Sequence, residues 1–108
     1  MRNFLFLAAL LAAPSVSRAE AVDHFDILDA SDYTITSVAV AKAGSNTFRT
    51  AIDARGRAIS LKSGETLTIA TRDGGCLRDL RVKFDNGKEL IERMFDICKK
   101  EPFRATPP

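Results

Sequence analysis

The sequence predicts an all-β fold, a small antiparallel β-sandwich with one disulfide-linked C-terminal hairpin. Three observations carry that prediction. Short runs rich in β-branched residues recur along the chain, separated by Gly, Ser, Asn and Asp turns. No segment sustains a helical period. Cys76 and Cys98, the only cysteines, bracket an alternating segment, a turn and a return segment. With 108 residues the chain is the size of a single domain. Its composition is ordinary for a globular protein, at 45% hydrophobic and 28% charged.

The first element is an export signal, residues 1–19. Arg2 supplies a positive start, and residues 4–13 form an unbroken apolar run of ten. Pro14 ends the run, and Ser17-Arg18-Ala19 places small residues where a signal peptidase reads them. Ala19-Glu20-Ala21 offers a second cleavage point after Ala21. Ten apolar residues span only about 15 Å as a helix, half a bilayer core, which argues against a membrane anchor. The expected location is the periplasm, reached by Sec-type export, with secretion beyond it as a variant. The β-sandwich domain then covers residues 20–98, and residues 99–108, polar and proline-rich, form an expected flexible C-terminal tail.

Residues 25–28 form a short apolar first strand. Ser31-Asp32 marks a turn, and residues 33–41, with Thr34, Ile35, Thr36, Val38 and Val40, form a second strand. Residues 43–57 are irregular and read as a loop with at most one short turn of helix. Residues 59–61 read as a short strand before the Ser63-Gly64 turn. Residues 65–71 alternate, with Leu67 and Ile69 facing inward. Residues 72–75 turn into the cysteine hairpin.

In that hairpin Cys76, Leu80, Val82 and Phe84 share one face, and Asp79, Arg81 and Lys83 share the other. Asp85-Asn86-Gly87 is a turn signal, since Asn and Gly accept positive φ. A loop of Asn86-Gly87-Lys88 would set Cys76 opposite Cys98, Leu80 opposite Met94 and Phe84 opposite Leu90. A tighter Asn86-Gly87 loop would set Cys76 opposite Ile97, on a mismatched face, so the longer loop is preferred. An exported protein meets an oxidising compartment, so a Cys76–Cys98 disulfide is expected. With 21 residues between them, the cysteines lack the close spacing of a redox pair.

The second face of the hairpin carries Leu77, Ile91, Phe95 and Ile97 among Arg81, Lys83 and Arg93. Either another segment covers these apolar side chains, or they form an exposed patch with a basic rim suited to a protein partner. Leu77, Arg81, Lys83, Ile91, Arg93 and Phe95 are the candidate partner face.

Removing the signal takes away Arg2 and Arg18, leaving 14 basic against 14 acidic residues. Residues 20–32 hold five acids and no Lys or Arg. Asp23, Asp26, Asp29 and Asp32 are therefore candidate ligands for a hard cation such as calcium or a lanthanide. On a strand, however, Asp23 and Asp29 face one way and Asp26 and Asp32 the other, with same-face pairs about 20 Å apart. A solvated acidic edge that resists aggregation accounts for them equally well.

Catalysis is not expected. A nucleophile needs a base beside it, and His24 is the only histidine. Asp73-Gly74-Gly75 matches no glycine-rich nucleotide fingerprint. The basic residues are interleaved with acids and lack a stacking aromatic platform, so nucleic acid is not an expected partner.

The run Cys76-Leu77-Arg78-Asp79-Leu80-Arg81-Val82-Lys83-Phe84-Asp85-Asn86-Gly87, closed by Asp96-Ile97-Cys98, resembles the pattern C-x-x-D-L-R-x-x-F-x-x-G of a group of small exported proteobacterial proteins, mostly of unknown function. The resemblance covers about residues 25–98, although a tryptophan often present mid-chain in that group is missing here. It implies a compact β-rich domain and structural roles for Asp79 and Arg81, bonding neighbouring loops. It carries no catalytic signature. The expected function is that of a non-catalytic periplasmic accessory protein, monomeric or a weak homodimer, binding another exported protein. The alternatives are a metal-ion binding or transfer protein and a small secreted enzyme inhibitor.

Overall fold

The computed structural model of the protein describes residues 22–51, 56–72 and 75–108. The expected signal peptide, residues 1–19, lies outside the described residues, as do Asp73 and Gly74. Among the described residues seven strands form two sheets: β1 (Val22–Asp29), β2 (Ile35–Lys42), β3 (Arg49–Thr50), β4 (Thr66–Arg72), β5 (Leu77–Phe84), β6 (Glu89–Asp96) and β7 (Phe103–Ala105). The first sheet has the order β4-β1-β7 and the second β3-β2-β5-β6. All pairings are antiparallel except β1 with β7. The protein is thus the small, disulfide-linked β-sandwich that the alternating runs predict.

Alternation sets the core. On β1, Phe25 and Ile27 point between the sheets; on β2, Ile35, Val38 and Val40; on β4, Ile69; and on β5, Leu80, Val82 and Phe84. Ile59 and Leu61 close the layer from the connection before β4, where Ile35 and Leu61 exchange both backbone hydrogen bonds. Among the described residues of the 43–57 loop the regular structure is the two-residue strand β3, and no helical turn forms.

The C-terminal segment departs from the expected flexible tail. Phe103 and Ala105 are buried, β7 pairs in parallel with β1, and Ala30 N–H donates to the Ala105 carbonyl. Two apolar residues separated by Arg104 suffice to make a strand once β1 offers an open edge. The domain accordingly runs past residue 98.

The hairpin register also departs from expectation. The loop is Asp85-Asn86-Gly87: Phe84 N–H donates to the Lys88 carbonyl, and Gly87 N–H to Phe84, with Gly87 at φ 86°. Lys83, not Asp85, therefore faces Glu89, and Val82 faces Leu90. Further along, Leu80 faces Glu92 but Arg78 faces Phe95. Asp79 alone thus opposes both Arg93 and Met94, a bulge with Met94 at φ 59°. The bulge reverses the phase of the strand beyond it. Ile97 N–H donates to the Cys76 carbonyl, and the Cys76–Cys98 disulfide closes from the adjoining 3-10 turn (Ile97–Lys99), with a Cα–Cα distance of 5.1 Å. No described helix is long and apolar enough to cross a membrane.

Candidate functional site

The second sheet turns a face away from the core, and its centre is Asp79. This carboxylate is 1% exposed yet lies on the outward side of β5. Oδ2 accepts from Gly44 N–H and from Arg93 Nη1, each at 3.0 Å, and Oδ1 accepts from Met94 N–H at 3.0 Å. One side chain therefore ties the β2–β3 turn to the β6 bulge. The Gly44 amide, the Met94 amide and the Arg93 guanidinium hold the Asp79 carboxyl below its ordinary value of 3.8, outweighing the opposing effect of burial. A depressed folded-state pKa stabilises the fold at pH above 3.8, and that contribution is lost as pH falls through the depressed value. Asp79→Asn is expected to lower the thermal midpoint near neutral pH much more than Asp96→Asn. It should also flatten the loss of stability below pH 4; acid titrations followed by circular dichroism test both effects.

Beside Asp79, the Arg81 guanidinium lies 4.6 Å from the centroid of the Phe48 ring and 3.9 Å from the Glu89 carboxylate. Phe48 and the Arg81 stem lie over this side of the sheet, where Ala39 and Ala41 are buried. Towards β6 the covering stops: Leu77 is 38% exposed, Ile91 45% and Met94 62%. Lys83 and Arg93 border the exposed area.

Of the candidate partner face, Leu77, Arg81, Lys83, Ile91 and Arg93 stay together on this side, but Phe95 does not. The bulge turns Phe95 inward, where its ring centroid lies 5.2 Å from Phe103 and 6.1 Å from Phe25. Ile97 is buried as well, so these two follow the covered alternative. Met94, expected opposite Leu80 in the core, takes the place outside. The exchange of Met94 for Phe95 is a direct consequence of one inserted residue.

The four acids near the N-terminus are spread apart. Asp23 lies 3.7 Å from the Arg78 guanidinium, Asp26 accepts from Thr68 Oγ1 at 2.6 Å, and Asp32 is exposed. Asp29 is fully buried at the end of β1, where Oδ1 accepts from Ser31 N–H and Ser31 Oγ and fixes the turn into β2. They do not converge on one point. Among the described residues the group with metal-ligand proximity is Cys76, Asp96 and Cys98, whose sulfurs are bonded to each other. His24 stands exposed on β1 opposite Ala70.

Two features escaped the sequence reading. Arg78, only 1% exposed, occupies an inward position on β5 in line with Leu80 and Val82, and its guanidinium donates to the Arg72 carbonyl at 3.2 Å. Its parity with those residues was the available signal. Arg78 lines one end of a cleft of about 550 Å³ between the sheets, open on the side of β3 and β4 and walled by Lys42, Arg49, Thr50, Thr68 and Arg72. The chain matches no protein-family profile, no curated protein and no solved structure.

Proposed function

We propose that the protein is a non-catalytic accessory module of an oxidising extracytoplasmic compartment. In this reading it binds another exported protein through the outer face of β5 and β6. The observation that carries the reading is the exposure of Leu77, Ile91 and Met94 on the outer side of one ordered sheet. The hub at Asp79 holds the backbone beneath them, so the face loses little freedom on binding. Apolar side chains bordered by Lys83 and Arg93 suit a partner with an apolar patch flanked by carboxylates.

A photo-crosslinking residue at position 91 or 94, with one at Lys88 as control, tests this in cells exporting the protein. The expected result is one discrete adduct from positions 91 and 94, suppressed by excess unlabelled protein but not by its Ile91→Asp variant. Adducts that are the same from all three positions, or absent, would refute the docking face.

A further inference from the structure

We infer that the protein pairs with a second copy of itself along β4, forming a closed two-fold dimer with a continuous six-stranded sheet. A β-sandwich must manage its sheet edges, because unpaired N–H and C=O groups recruit other strands. Among the described residues the two sheets have four such edges, and three are blunted. The β3 edge is two residues long, and the β7 edge is three, with Arg104 at its centre. β6 carries Glu89, Glu92, Arg93 and Asp96 and is broken by the bulge at Met94. β4 is neither short nor bulged, and its one charge, Arg72, stands at its end. It is seven residues long, regular in register with β1, and Thr66-Leu67-Thr68-Ile69-Ala70-Thr71 contains no charge, no proline and no glycine. Among the described residues no strand pairs with its outer side.

The backbone phase of β4 determines what it can accept. Asp29 N–H donates to the Glu65 carbonyl at 3.0 Å, one step beyond the Leu28–Thr66 pair. In an antiparallel ladder hydrogen-bonded pairs alternate with non-bonded ones, so Leu67, Ile69 and Thr71 bond to β1. Thr66, Thr68 and Ala70 then direct their N–H and C=O groups outward, whereas the Arg72 carbonyl accepts from Arg78 Nη2 at 3.2 Å. A two-fold axis at Ile69 sets Thr68 opposite Ala70 of the second copy and Thr66 opposite its Arg72, so the outward groups of Thr68 and Ala70 meet outward groups. The side chains match in the same register. Leu67 and Ile69, which point towards the core, meet Thr71 and Ile69 of the second copy on the same side of the sheet. The two Arg72 side chains lie at opposite ends of the seam. A second copy meets these conditions along the full strand by symmetry, and each chain has one such edge, so the assembly closes as a dimer.

Sedimentation equilibrium of the oxidised protein, from micromolar to millimolar concentration, tests the pairing beside Ala70→Pro and Thr68→Lys. The Ala70 N–H faces outward, so proline there removes a bond of the seam while sparing the β1 ladder. The expected result is a concentration-dependent dimer for the parent and monomers for both variants, with unchanged circular dichroism. Amide hydrogen exchange of the parent is a second readout: Thr68 and Ala70 should be protected at high concentration and lose protection on dilution. A parent that stays monomeric, a folded variant that still dimerises, or Thr68 and Ala70 amides that exchange fast at every concentration would overturn the inference.

Discussion

Replacing Phe103 by alanine is expected to destabilise the fold by about 3–5 kcal/mol, the range for emptying a buried aromatic site. The ring is buried, packs edge-on against Phe95 at 5.2 Å, and through Phe95 reaches Phe25 at 6.1 Å. These three rings join β7, β6 and β1, so they hold the two sheets together on the side away from the cleft. The surroundings cannot collapse into the vacancy easily, because Ile27, directly paired with Phe103, is itself fully buried. Small domains have a total stability of roughly 5–15 kcal/mol, so this one change removes a large share of it. Urea unfolding followed by far-ultraviolet circular dichroism measures the effect; the chain has no tryptophan for fluorescence. Arg104→Ala, at the exposed central position of the same strand, is expected to leave the midpoint nearly unchanged. Equal midpoints for Phe103→Ala and the parent would show that residues 99–108 are a flexible tail after all.

Phe103 also marks where sequence reading reaches its limit in this fold. The strands containing Ile35, Val38 and Val40, or Leu67 and Ile69, were legible because several inward residues repeat at period two. β7 has only Phe103 and Ala105, among prolines, and becomes a strand because β1 is there to receive it. The hairpin turn was legible from Asp85-Asn86-Gly87, but its register was not. One residue more or less in the loop looks equally good locally, and the bulge depends on Asp79 reaching the Met94 amide across the sheet and Gly44 in a distant turn. The candidate face was therefore legible on β5, where Leu77, Arg81 and Lys83 lie as their parity requires. On β6 Ile91 and Arg93 also lie on that face, but Met94 and Phe95 exchange places. The resemblance of the Cys76 segment implied bonding roles for Asp79 and Arg81; Asp79 does bond the neighbouring turn, whereas Arg81 stacks on Phe48.

Loss of the Cys76–Cys98 bond should be the other large effect. The cysteines are 22 positions apart, and in the chain-entropy model a closed loop of that size contributes about 3 kcal/mol by restricting the unfolded chain. The bond is not needed to define the hairpin. The Asp85-Asn86-Gly87 turn, the ladder from Leu77 to Lys83 and the Asp79 bonds at the bulge all remain when it is broken. A Cys76→Ser/Cys98→Ser variant is thus expected to keep the native circular dichroism spectrum while unfolding at lower urea concentration. Its unfolding should also depend more steeply on urea, because an unfolded chain without the cross-link exposes more surface. That slope separates the two ways a disulfide can act. A lower midpoint with a steeper slope places the effect in the unfolded state, as the loop argument requires. A lower midpoint with an unchanged slope would place it in the native hairpin, with the bond holding Ile97 against the Cys76 carbonyl and so keeping Phe95 turned towards Phe25 and Phe103.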